Sequence, residues 1–181
     1  MFRLVVKYKG LLFLVLVVVV SLVIAIIATK NINVSYLGQQ DRSRGIRNNN
    51  VGNLKIGSDD WMGMIPHDKN TDGNFEQFKK WKWGVRAMII VVRDAYMGKR
   101  NLHTIRGIIG RYAPQEKVEG EERSYFVNLR KLTGFDPDDV LGDDKETLRI
   151  LIKAMGDIET GEKGIITDQQ FNEAWGLSLM P

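Results

Sequence analysis

The run from Leu11 to Ala28 carries no charge, and Ser21 is its only polar interruption. A helix apolar on every face has no solvated side to present to water, and eighteen such residues are long enough to cross the hydrocarbon core of a bilayer. The run predicts a transmembrane helix. The apolar core of a cleaved export signal is usually about half as long, and Ile26 and Ala28 make a poor cleavage site. Arg3, Lys7 and Lys9 precede the run and only Lys30 follows closely, so the positive-inside rule puts the N-terminus in the cytoplasm and the bulk of the chain on the far side. In a bacterial host that far side is the periplasm.

This charge asymmetry explains the basic isoelectric point. All 22 acids and all but three of the 26 Lys and Arg lie after residue 29, so the part beyond the membrane is nearly neutral. The net charge of +4 therefore speaks of topology rather than of nucleic acid, which is an unlikely partner. The chain has no cysteine and only His67 and His103 as histidines, which excludes thiolate catalysis and disfavours a zinc amidase; no metal or cofactor is expected. The organisation follows as a basic flank over 1–10, a transmembrane helix over 11–29, a linker over 30–44 and one globular domain over 45–181. Residues 30–44 read as a spacer because they are polar and lack periodic apolar positions.

The domain reads as mainly α. Val85, Met88, Ile89, Val92 and Tyr96 mark a long central helix from about Gln77 to Met97. Shorter helices are predicted over 104–112 and 121–133, and a last one begins at Thr167, which with Gln170 suits a capping box. The helix from Asp143 to Gly161 carries Leu148, Leu151, Ile152, Met155 and Ile158 on one face, with Asp143 as its expected N-cap and Glu146 closing a box. Glu159 falls on that apolar stripe at the last turn, where partial burial and the helix dipole both raise a carboxyl pKa. An acid kept protonated near neutral pH is what glycosidic cleavage requires, since the leaving oxygen must receive a proton. Glu159 is the candidate general acid; the competing reading is a solvated residue at a frayed helix end.

Two other clusters invite assignment. Asp68 to Gly73 copies the first half of a calcium loop, but Lys79 stands where a bidentate Glu is required, so the segment reads as an Asx-rich turn. Lys79-Lys80-Trp81-Lys82-Trp83 interleaves cations with aromatics, which suits phosphates and bases, yet it is short and reads first as the entry to a core helix.

The run Ala154-Met155-Gly156-Asp157-Ile158-Glu159-Thr160-Gly161 resembles the Glu-Ser-Gly helix end of lytic transglycosylases and related lysozyme-fold enzymes, with Thr160 in place of Ser. The stretch Gly45-Ile46-Arg47-Asn48-Asn49-Asn50-Val51-Gly52-Asn53-Leu54 is similar to the G-I-R-N-N-N-P-G-N-I/L motif of a family of small phage proteins often called virion structural proteins. Similarity continues through Asp60-Trp61-Met62-Gly63-Met64, Gly84-Val85-Arg86-Ala87, Thr104 to Ile109 and Arg111-Tyr112-Ala113-Pro114, covering about Gly45 to Trp175. Two departures stand out: Val51 replaces Pro, and Gly156-Asp157 replace bulkier residues. The resemblance implies a lysozyme-like domain, circularly permuted in that its catalytic helix comes late, behind one transmembrane helix. It implies a virion-associated, membrane-anchored enzyme that cleaves the glycan strand of peptidoglycan, as a lytic transglycosylase or a muramidase. Asn48, Asn49, Asn50, Asn53 and Trp61 would bind substrate, and Glu119 or Glu121 is the second choice for the catalytic carboxylate. The expected partners are peptidoglycan, the lipid membrane through residues 11–29, and other virion proteins. The alternative is a non-catalytic virion membrane protein with a lysozyme-like domain.

Overall fold

The computed structural model describes residues 2–114 and 124–180. Glu119 and Glu121 lie outside the described residues. Seven α-helices are present among them: α1 (Phe2–Ile32), α2 (Arg44–Arg47), α3 (Trp81–Ile90), α4 (Ile105–Tyr112), α5 (Ser124–Thr133), α6 (Lys145–Thr160) and α7 (Asp168–Ser178). The described residues form no strand, only isolated bridges such as Lys55 to Phe75 and Met64 to Phe78. The chain is thus mainly helical, with one N-terminal apolar helix.

α1 is long and apolar enough over Gly10–Ile27 to cross a membrane, and every side chain of that stretch is exposed. Its described side chains share no core with the remainder, and the helix touches it along α7. The core lies between α3, α6 and α7. Trp81, Val85, Met88 and Ile89 of α3 are fully buried with Leu148, Leu151, Ile152 and Met155 of α6 and Phe171 of α7. α4 adds Ile105, Ile108 and Ile109, and α5 adds Leu129. These are the apolar positions that recur at helical spacing, so the periodicity and the burial have one cause.

Several local expectations change. The long helix begins at Trp81, and after Ile90 it widens into a π-helix over Val91–Gly98. The N-cap of α6 is Asp144, whose carboxylate accepts from the main-chain N–H groups of Glu146 and Thr147; Glu146 closes no box and instead pairs with Arg149. The capping box of Thr167 and Gln170 is present at α7. In the Asp68 to Gly73 segment, Asn70 accepts from the N–H groups of Asp72 and Gly73, an Asx turn held within the loop.

The segment read as a linker over 30–44 makes specific contacts with the domain. From Val34 onward it is an arm bound to the domain. The Trp81 N–H donates to the Val34 carbonyl, the Tyr36 ring meets Trp81 edge-on at 5.3 Å, and Arg42 makes a two-pronged ion pair with Glu162. Tyr36 and Val34 supply the apolar area that a free spacer lacks.

The Asn-rich loop after α2 is wedged against α3. Asn49 and Asn53 adopt left-handed backbone angles, φ 51° and 45°, which Asn tolerates better than most residues. At Gly84 a Cβ would fall 1.8 Å from the Asn49 carbonyl oxygen, so only glycine admits this approach. Gly84→Ala should therefore cost more than about 3 kcal/mol, at the upper end of overpacking penalties, because the obstacle is backbone rather than a mobile side chain. Urea unfolding of the detergent-solubilised chain, followed by tryptophan emission, checks this, and an unchanged midpoint would show that α3 shifts to absorb the methyl group.

Candidate functional site

Four elements bring side chains to the end of α6. Glu159 lies one residue before the helix finishes at Thr160, and Gly161 at φ 74° turns the chain away in a left-handed C-cap. The carboxyl group is half-buried. Asn53, from the Asn-rich loop, donates through Nδ2 to Glu159 Oε2 at 2.9 Å and to the Glu159 main-chain carbonyl at 3.4 Å. Tyr125, at the start of α5, donates its hydroxyl to Oε1 at 3.1 Å. Tyr112, the last residue of α4, donates to the Gly52 carbonyl and packs edge-on to Tyr125 at 6.5 Å.

Burial pushes the Glu159 carboxyl above its ordinary range, and the bonds from Asn53 and Tyr125 pull against that shift without cancelling it. The Tyr112 hydroxyl is also pushed well up, first by burial, then by the negative charge of Glu159 and by Tyr96. Glu159 therefore sits in a poorly solvated place with two neutral donors, and its direct partners are an amide and a phenol rather than a cation. Such a group exchanges a proton closer to neutrality than a solvated carboxylate does.

The ending of the helix is separately braced. Thr160 donates its hydroxyl to the Gly156 carbonyl, and Asp157 accepts from the N–H groups of Gly164 and Ile165. Gly156 makes room for its neighbours: a Cβ there would stand 2.9 Å from Ile166 Cδ1 and 3.0 Å from Val51 Cγ2.

Of the residues the sequence offered as substrate-binding, Asn53 alone is bonded to Glu159 among the described residues. The amides of Asn48, Asn49 and Asn50 are buried and bonded within the protein. Asn49 donates to Ser35 Oγ and the Phe78 carbonyl and accepts from the Tyr36 N–H; Asn50 donates to the Leu54 and Glu76 carbonyls and accepts from the Leu54 N–H. Asn48 joins Asp72 and Gln77 at a polar cavity of about 210 Å³. Trp61 is half-buried in a turn closed onto Met64, and Asp59 and Asp60 are exposed; no hydrogen bond joins these three to Glu159.

Tyr125 and Tyr112 were not singled out from sequence as site residues. Tyr125 had a visible signal: it stands four residues before Leu129 on the inward face of α5, and a buried tyrosine hydroxyl usually finds a partner.

A half-buried acid at the end of a core helix, in a mainly helical domain behind one apolar helix, is thus the arrangement that the sequence builds. No protein-family model matches the chain. Protein P5 of Pseudoalteromonas phage PM2 is 37% identical to it over 132 residues, a match covering 71% of this chain and 78% of that protein. The chain belongs to the family of this phage protein.

The raised Glu159 pKa has a consequence for stability. Between the ordinary carboxylate value and the raised one, the folded chain binds more protons than the unfolded chain, so the group's contribution is fully present in acid and is lost as pH rises through the raised value. Gln in its place can accept from Asn53 and donate to Tyr125, and it does not titrate. The unfolding free energy of Glu159→Gln minus that of the unmodified chain should grow from about pH 4 towards neutrality and then level off. A difference that stays flat over this range would refute the raised carboxyl.

Proposed function

We propose that the chain is a membrane-anchored phage protein that cleaves the glycan strand of peptidoglycan, at the link between N-acetylmuramic acid and N-acetylglucosamine, with Glu159 as the general acid. The observation that carries this reading is the Glu159 carboxyl, half-buried with a raised pKa and held between Asn53 and Tyr125. The resemblance of its helix end to lytic transglycosylases supports the choice of reaction. So does kinship with a phage protein, since a phage must cross a cell wall.

On this reading residues 45–181 form a lysozyme-like domain, permuted so that the acid helix α6 comes late. Glu159 in its protonated form gives its proton to the leaving glycosidic oxygen as the bond to the anomeric carbon breaks. In a lytic transglycosylase the resulting carboxylate then takes the proton of the muramic 6-hydroxyl while that oxygen closes on the anomeric carbon. One acid serves both steps, which suits a carboxyl whose direct partners are Asn53 and Tyr125. A muramidase would instead draw on a second acid such as Asp59 or Asp60. Asn53 acts as a positioning residue, fixing the carboxyl to the loop, and Trp61 offers a ring to a sugar face. Asn48, Asn49 and Asn50 serve this site by holding the loop rather than by touching the glycan.

Incubation of the purified chain with peptidoglycan, followed by mass spectrometry of the products, tests the reading. Anhydromuramic ends are expected, with hydrolytic reducing ends marking a muramidase. Glu159→Gln should lower the rate by about a hundredfold or more while the protein remains folded. If the variant digests at the unmodified rate, Glu159 is not the acid and Glu119 and Glu121 become the next positions to change. A folded, membrane-inserted chain that leaves peptidoglycan intact is a non-catalytic virion membrane protein.

The same proposal has α1 spanning the membrane with its basic flank in the cytoplasm and the domain in the periplasm, and carries the protein into the virion membrane. Alkaline carbonate extraction should leave the full-length chain in the membrane fraction. A soluble chain, or one that begins near Thr29, would overturn the anchor.

A further inference from the structure

The cation and aromatic cluster Lys79-Lys80-Trp81-Lys82-Trp83 is not used by the site around Glu159. It lies instead at the point where the chain leaves α1. The Trp81 N–H bonds to the Val34 carbonyl at 3.0 Å, and α1 ends at Ile32, two residues earlier. With Gly10–Ile27 in the hydrocarbon, the helical steps from Ile27 to Ile32 rise about 7.5 Å. The two extended residues to Val34 add at most about 7 Å. The Val34 carbonyl that Trp81 binds therefore stands no more than about 15 Å above the hydrocarbon edge, of which headgroups occupy about 5–7 Å, and Lys79 and Lys80 lie one or two residues from Trp81. The remaining gap is about one Debye length at physiological salt.

The side chains at this level have the chemistry of a membrane interface. Lys79 and Lys80 are exposed, and no ion pair joins either to an acid among the described residues, the exposed Asp59 and Asp60 of the adjoining loop included. Lys82 is tied to Glu173 at 3.3 Å and lies over the Trp83 ring at 5.4 Å. Trp83 is half-buried, its ring laid on the backbone of Gly63 so closely that a Cβ there would come within 2.3 Å. The side chain is only partly covered, and a tryptophan of this kind in a lysine-rich stretch has the chemistry of the aromatic belts of membrane proteins. Trp81 itself is wholly buried against Tyr36 and fixes the cluster to the arm.

We infer that Lys79 and Lys80, with the exposed part of Trp83, form a docking surface for the headgroups of anionic phospholipids, holding the domain down on the membrane that α1 crosses. The inference rests on the proposed reading of α1 as membrane-spanning. The lysines draw the phosphates through their unpaired charge, and the indole edge of Trp83 settles at the headgroup level. Nucleic acid would satisfy the same cations, but the position of the cluster at the foot of α1 favours the lipid.

The full-length chain reconstituted into vesicles separates the possibilities. One set is phosphatidylcholine alone and the other holds about 30% phosphatidylglycerol, both with a headgroup spin label that quenches nearby tryptophan. Flotation reports the anchor and quenching reports the docking. The chain should float with both vesicle types, and quenching should be at least about twofold stronger with phosphatidylglycerol and fall to the phosphatidylcholine level in about 1 M salt. K79E/K80E should float as before, unfold at the unmodified midpoint and lose the extra quenching, and Trp83→Phe should remove the lipid-dependent part of the signal. Flotation with equal quenching in both vesicles overturns the docking surface and leaves the anchor standing. Failure to float overturns the anchor. If a DNA duplex binds the chain in phosphatidylcholine vesicles through these lysines while phosphatidylglycerol has no effect, the cluster is a nucleic-acid site and the lipid assignment is wrong.

Discussion

The close approach of the Asn49 carbonyl to Gly84 is the constraint on which the remaining geometry depends. It brings a loop backbone into van der Waals contact with the central helix, which no side chain at residue 84 would permit. Once the loop is seated there, its four following positions are assigned. The Asn49 amide catches the arm at Ser35 and Tyr36 and the Phe78 carbonyl. Asn50 ties the loop to Leu54 and Glu76, Val51 enters the core, Gly52 receives the Tyr112 hydroxyl, and Asn53 reaches Glu159. A buried amide that lost these partners would face the full cost of desolvation, so the Asn run is retained by its own burial. The site around Glu159 thus depends on a contact made by a neighbouring stretch of the same loop.

Val51 and Gly156 meet in space: Val51 Cγ2 would lie 3.0 Å from a Cβ on Gly156. A larger residue at 156 would push against both Val51 and Ile166, whereas glycine lets the branched Val51 fill the space beside α6. The two residues form one packing solution, since a close-packed interior leaves no room for added volume on one side without loss on the other. Asp157 likewise has a local use, binding the N–H groups after the helix, so neither residue before Glu159 displaces its carboxyl.

How far the sequence could be read depended on the range of the interaction. The positions of α3, α4, α6 and α7, and the inward face of each, follow from apolar spacing, because burial against a common core is what imposes that spacing. The partly buried position of Glu159 follows for the same reason: it belongs to the stripe of Ile152 and Met155. Contacts between distant segments left no such period. The arm at Val34 to Arg44 looks polar in one dimension, yet Tyr36 and Arg42 dock on Trp81 and Glu162, residues far along the chain. The burial of Asn48, Asn49 and Asn50 is not legible either, because exposed and buried asparagines are alike as letters. The switch from α- to π-helix at Val91 carries no sequence signal that we can name. Tyr125 was legible only as an apolar position; that its hydroxyl meets Glu159 depends on the crossing of α5 and α6.

The docked arm also bears on how α1 is joined to the domain. A free spacer over residues 30–44 could extend about 50 Å and let the domain sample a wide volume. With the arm bound from Val34 onward, Asn33 is left as the only residue between the end of α1 and the first main-chain bond to α3. The pair Arg42 and Glu162 then joins this arm to the residue just beyond the Gly161 cap, three positions from Glu159. The joint to α1 and the candidate acid are therefore linked through one short, bonded stretch rather than through a tether. On the proposed reading, a domain held this way acts on glycan close to the bilayer, and its orientation is set at the joint. Reach would then come from where the virion or host membrane is brought against the wall, because the chain itself supplies almost none.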